Sequence, residues 1–274
     1  MGIERKSNFE LLRILLMIMI ITLHYLGHGG VLDTVKIGSF NFYIAYFIEG
    51  FSIVAVNCFI IMLGYFQVDK EFNCSRILKL SMQVMFYSVT IMVIFIGLGA
   101  EVEFNYVIKS FIPIISGKWW FITSYVILYL ISPALNILVN NTSKIKLRNM
   151  ILVLVVIFNI IPTIPSIIGI PNGGIINFLI LYLIGGYIKR YYIVEENNKK
   201  YILLFSFSTI TATLGNIMLS LVFHRSITTF WDYTCIFIIT GAIALFMYFK
   251  NLQVQSNGIN FIASSVFSVY LIHD

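Results

Sequence analysis

An arginine and a histidine stand inside the first apolar run of this chain, NFELLRILLMIMIITLHYLGH, at Arg13 and His24. Both side chains are costly in hydrocarbon, very roughly 2–3 kcal/mol or more for an arginine near a helix centre. An α-helix turns ~100° per residue, so the eleven steps between them return the side chains to within ~20° of each other. The same steps separate them by ~16 Å along the axis, about half the hydrocarbon thickness. One face of one helix is therefore expected to carry a fixed cation low in a membrane and a proton-transfer group higher up. Each residue also fits a plainer role: an arginine five residues into a span can snorkel to the interface, and a lone histidine can serve as an interfacial hydrogen-bonding group. Their shared face favours function.

Composition supports a membrane setting. Apolar residues make up 59% of the 274, charged residues only 11%, and mean hydropathy is +0.92, whereas a soluble domain carries about a quarter charged residues. Runs of about twenty apolar residues predict an all-α, polytopic transmembrane helix bundle of about nine spans. They fall near 9–28, 43–66, 77–99, 119–139, 149–169, 174–188, 201–223 and 231–249, with a last one starting near 260 and ending early. The first run lacks a small-residue cleavage site and is expected to stay as the first span.

The net charge of +6 does not point to nucleic acid. With the N-terminus cytoplasmic, only Lys36, Lys109, Lys118 and Arg225 fall on external segments and Arg13 lies within the first span. The remaining Lys and Arg residues of the 18 lie inside, a clear positive-inside bias. Trp119, Trp120 and Trp231 fall at predicted external helix ends and read as interfacial anchors. Cys58, Cys74 and Cys235 have no metal-ligand spacing, and no metal is expected. No Gly-rich phosphate loop or Ser-His-Asp spacing occurs either.

Five segments in register carry a resemblance. The first is the basic residue, ten intervening residues and histidine of the opening helix. SIVAVNCFIIMLGYF, GKWWFITSYVILYLISPALNIL, FLILYLIGGYIKRY and SSVFSVYLIH follow in order. Together they resemble the bacterial membrane-bound acyltransferase-3 family, polysaccharide O-acetyltransferase type, over a single domain spanning 1–274. The resemblance implies transfer of an acetyl group from acetyl-CoA to a hydroxyl of a cell-surface polysaccharide or lipid-linked glycan, in the bacterial plasma membrane. Relatives usually continue past the Tyr-Leu-Ile-His segment, so the chain is expected to be C-terminally truncated.

Histidine suits the removal of a hydroxyl proton near neutral pH, which makes His24 the candidate general base; an acetyl-His24 intermediate is the alternative. Arg13 is the candidate donor-orienting cation, joined by Arg76 as a second acetyl-CoA contact. His28, one turn beyond His24, is a candidate assistant, and Glu49 a candidate orienting acid for His24. Arg225 and Asp232 are candidates for sugar contact. His273, so near the chain end, is not expected to be catalytic. Two rival readings remain: a non-enzymatic carrier or flippase for a glycan precursor, and an inactive truncated remnant. A carrier would be expected to show paired, broken helices in two related halves, and no such symmetry is visible.

Overall fold

The computed structural model describes residues 6–163, 174–194 and 198–273. Arg5 and the far end of the expected span 149–169 lie outside the described residues. Every regular element among the described residues is helical. In chain order they are α1 (Ser7–Leu26), α2 (Val31–Thr34), α3 (Phe40–Ser52), α4 (Ala55–Gln67), α5 (Cys74–Gly97), α6 (Phe104–Phe111) and α7 (Trp120–Asn141). There follow α8 (Lys144–Val155), α9 (Ile161–Thr163), α10 (Gly174–Tyr191), α11 (Lys199–Phe223), α12 (Ile236–Lys250), α13 (Asn257–Ala263) and α14 (Val266–Ile272).

Seven stretches among the described residues are long and apolar enough to cross a membrane, by length and composition. They are Ser7–Leu26, Phe40–Gln67, Cys74–Gly97, Trp120–Asn141, Lys144–Thr163, Lys199–Phe223 and Thr229–Lys250. Two of the nine expected spans fall short of that mark. Helix α10 carries Lys189 and Arg190 in its last turn, and its middle is packed inside protein. The last apolar stretch, Asn257–Ile272, is short and turns at Ser264 and Ser265 between α13 and α14.

Packing of α10 against α4 forms the centre of the bundle. A Cβ placed on Gly64 would overlap the Tyr182 carbonyl oxygen, and one on Gly185 would overlap the Ile61 carbonyl oxygen. Small residues permit that backbone approach, which in an apolar setting replaces hydrophobic driving force with close packing. Around it the core is Leu12, Leu16, Ile60, Leu181 and Phe246, all buried.

Several asparagines inside this core bond to one another and to backbone carbonyls. Asn57 donates to the Tyr233 carbonyl at 2.8 Å. Asn177 donates to the same carbonyl at 3.0 Å and to Asn57 Oδ1 at 3.4 Å. Asn159 donates to Asn177 Oδ1 at 3.1 Å and to the Thr234 carbonyl at 3.0 Å. Asn159 reaches them from a π-helical turn, Val156–Ile160, that interrupts the helix after α8. One asparagine network therefore joins α4, α10, that turn and the segment leading into α12.

The basic loops converge at one end of the bundle. Asn136 donates to the Gln67 and Lys70 carbonyls, and Arg190 to Asn140 Oδ1 at 2.7 Å. Lys189 lies 3.9 Å from Asp69, and Lys250 donates to the Ile193 carbonyl. Helix α1 starts there too, because Asn8 donates to the Phe249 carbonyl at 2.9 Å. Of the tryptophans, only Trp120 is exposed; Trp119 and Trp231 are buried, at 7% and 5% exposure. Those two pack into protein and do not form a lipid-facing belt.

Candidate active site

Helix α1 holds both Arg13 and His24, as the apolar run predicts. No Gly or Pro interrupts the residues between them, so the register of their shared face is preserved. His24 is half-buried and lies 2.9 Å, through Nδ1, from His273 Nε2. His273 Nδ1 in turn is 2.8 Å from the Tyr270 carbonyl oxygen. The rings of His28 and His273 each lie 4.6 Å from that of His24, centroid to centroid. Sequence reasoning set His273 aside for its place at the chain end. The fold brings it onto His24 across 249 positions of sequence, a separation that no local periodicity can reveal.

From the basic end, a cavity of about 760 Å³ runs along the same face of α1. Glu10, Arg13, Met17 and Ile20 line it, a stripe at helical spacing, and His24 is the next residue on that stripe. At its far end the wall is Ile20 and Tyr270, the residue whose carbonyl meets His273. At its mouth stand Lys6, Arg13, Lys70, Arg76 and Lys79, with Glu10 the only acidic residue lining it among the described residues. Beyond the mouth the lining is largely apolar, including Phe59, Met62 and Phe121, and among the described residues no histidine lines the cavity.

The mouth is held in place by local pairs. Arg13 Nη1 donates to Glu10 Oε2 at 2.8 Å, an i,i+3 pair on one helix. Arg76 Nη1 donates to Gln67 Oε1 at 3.1 Å, which ties the start of α5 to the end of α4. Partial burial, followed by the neighbouring Arg76 and Lys189 cations, pulls the Lys70 ammonium below its ordinary pKa. Crowded cations at the mouth of a cavity are an anion-binding arrangement. Sequence reasoning anticipated Arg13 and Arg76 but missed Lys6, Lys70 and Glu10.

The acyltransferase-3 family model, described as an acyltransferase domain, matches residues 6–274. The chain belongs to the acyltransferase-3 family. No curated protein and no solved structure compared with it gives a match.

Two sequence candidates of this acyltransferase lie elsewhere. Glu49, expected beside His24, lines a second cavity of about 600 Å³ with Thr163, Trp231 and Asp232; it is His273 that meets the His24 Nδ1. Asp232 Oδ1 accepts from the Thr234 backbone N–H at 2.8 Å and from its hydroxyl at 2.6 Å, a turn that prepares the start of α12. Around Glu49, buried polar atoms stand without a hydrogen-bonding partner: Glu49 Oε2, Trp231 Nε1 and Thr213 Oγ1. Cys58 and Cys235 are buried and Cys74 is exposed, all as free thiols. Among the described residues no group of three His, Cys, Asp or Glu side chains is placed to hold a metal.

Proposed function

We propose that this membrane acyltransferase moves an acetyl group from acetyl-CoA to a hydroxyl of a cell-surface polysaccharide or lipid-linked glycan, with His24 as general base. The observation that carries the reading is a cavity with a cationic mouth that lies along the face of α1 leading toward His24. Acetyl-CoA has the matching shape: a polyanionic nucleotide at one end, a long weakly polar arm, and a thioester at the other. Arg13 and Arg76 bind and orient its anionic part, because guanidinium groups suit phosphate oxygens. The apolar wall takes the arm and keeps water from the thioester.

His24 then accepts the proton of the acceptor hydroxyl while that oxygen attacks the thioester carbonyl. The C–S bond breaks, the ester forms, and the imidazolium returns its proton to the departing thiolate. In this reading the N-terminus and the basic end face the cytoplasm, in line with the positive-inside rule. The histidines lie deeper, toward the opposite face of a bacterial plasma membrane, where a glycan approaches.

The test is proton NMR of surface polysaccharide from a host strain carrying the chain or its His24→Ala form, before and after base treatment. A base-labile acetyl signal that needs His24 supports the reading. An equal signal with His24→Ala removes the general-base role.

A further inference from the structure

The second cavity, about 600 Å³, has the size of a small-molecule site, roughly 300–1,000 Å³. Its wall includes Trp231, Asp232, Tyr233 and Thr234, just before α12, whose other end carries Lys250 into the basic loops. It therefore belongs to the end of the bundle opposite the cationic mouth. Thr228 and Thr229 are exposed and line it, so it opens to the surface. Its chemistry is unlike that of the first cavity: it holds Glu49 and Asp232 and, among the described residues, no Lys, Arg or His. Its wall is also fixed. The Tyr233 carbonyl accepts from Asn57 and Asn177, and the Thr234 carbonyl from Asn159. Thr163, also in the lining, donates to the Asn159 carbonyl at 2.6 Å and accepts from the Ile236 N–H at 3.0 Å. Asn159 stands in the π-helical turn, a feature frequent at functional sites.

Two side chains of this lining are more than nine-tenths buried and have a polar atom that no protein group pairs. They are Glu49, 8% exposed, at Oε2, and Trp231, 5% exposed, at Nε1. Gly50 lets them approach: a Cβ there would stand 3.2 Å from Trp231 Nε1 and would overlap Thr213 Oγ1. A carboxyl oxygen accepts a hydrogen bond and an indole N–H only donates one. A hydroxyl serves both, because it donates and accepts. We infer that the second cavity binds a neutral glycosyl unit, whose hydroxyls donate to Glu49 and accept from Trp231 Nε1–H. A sugar ring carries several hydroxyls on a compact frame, and Ile53, Trp231 and Tyr233 give its C–H faces an apolar wall. An acidic sugar is disfavoured, because Asp232 is exposed at the opening and like charges repel without a cation to pair them. The place of this site in acyl transfer, as holder of the acceptor glycan, rests on the reading above; the binding itself does not.

The test reads binding without requiring transfer. The full chain is purified in an amine-oxide detergent, which has no sugar headgroup, and given the methyl glycosides of glucose, galactose, mannose and N-acetylglucosamine. Saturation-transfer difference NMR reports which of them bind. At least one neutral glycoside is expected to bind, and methyl glucuronide to bind about tenfold or more weakly than the best of them. Glu49→Leu removes the acceptor at similar bulk, and Trp231→Phe removes the donor but keeps a ring. Each is expected to weaken binding about tenfold or more, the scale of one lost hydrogen bond to a carboxyl group or of a polar group left unpaired. Glu49→Leu is also expected to keep or raise Tm, since it removes a buried polar atom that the protein does not pair.

No binding by any of the neutral glycosides overturns the inference, and so does glucuronide binding as tight as theirs or unchanged binding in both variants. Saturation of tetramethylammonium in place of every glycoside makes the cavity a cation site and overturns it too. A Glu49→Leu variant that loses Tm together with binding assigns the carboxyl a structural role, with the same result. The wild-type comparison of neutral and acidic glycosides decides the matter even where Trp231→Phe does not fold. Glycoside binding without acetyl transfer would instead strike at the acyl-transfer reading alone, so the two failures are distinguishable.

Discussion

Arg13 donates through Nη1 to Glu10 Oε2 at 2.8 Å, one turn back along α1, and both residues line the cavity mouth. The arginine does not simply reach for the membrane surface. Glu10 fixes one edge of its guanidinium and leaves other N–H groups available to an anion, since the group has five donors.

Arg13→Ala is expected to raise the KM for acetyl-CoA about tenfold to a hundredfold. That is the scale of a lost charge-assisted hydrogen bond, about 1.5–3 kcal/mol, with kcat less affected. Glu10→Gln changes the same KM far less, because a part-exposed ion pair contributes about 0.2–1 kcal/mol. Steady-state kinetics with varied donor measures both; a larger effect from Glu10→Gln would reverse their roles.

If the cationic mouth holds the donor as proposed, Lys70 gives that site a pH signature. Its folded pKa is depressed by partial burial and by Arg76 and Lys189, so it loses its charge at lower pH than an ordinary lysine. An anionic donor stabilises the protonated form, so donor affinity falls as pH rises through that depressed value, and binding there takes up protons. The KM for acetyl-CoA, followed from neutral to alkaline pH, should rise earlier in the wild type than an ordinary lysine would require. Lys70→Gln should raise KM at neutral pH and flatten that limb. An unchanged alkaline limb would place the titration elsewhere.

The Gly64–Gly185 approach should tolerate no side chain. Gly185→Val forces α10 away from α4, since its Cβ would overlap the Ile61 carbonyl. Overpacking of this kind costs about 1–3 kcal/mol or more. Thermal unfolding in detergent should show a lower Tm and a lower folded yield. A Tm equal to wild type would mean that the helices are less closely packed.

Asn177→Leu should also lower Tm. The change strips Asn57 Oδ1 of its Asn177 donor and the Tyr233 carbonyl of one of its two donors. A buried polar group left unsatisfied costs about 1–3 kcal/mol. Thermal unfolding of the purified variant measures the loss; an unchanged Tm would make the network dispensable.

Much of this was legible in the residues, and for identifiable reasons. Arg13 and His24 share one uninterrupted helix, so helical periodicity alone sets their face. The helical class follows from the apolar runs. Helix α10 reads as a span from its apolar core, although its terminal Lys189 and Arg190 lower its hydropathy and its partner is protein. The pairing of His273 with His24 was out of reach because it is a tertiary contact across 249 positions of sequence. Glu10, by contrast, sat three residues before Arg13, at the spacing of a helical ion pair, and that signal was available. Glu49 misled because a carboxylate near a helix end carries no label for which cavity it lines.

The most direct measurement is acetyl transfer from radiolabelled acetyl-CoA to base-labile glycan product in membranes holding the full chain, alongside donor binding by the same membranes. The account predicts that His24→Ala binds donor as the wild type does and transfers nothing, while Arg13→Ala transfers but needs more donor. Transfer by His24→Ala at the wild-type rate would contradict it.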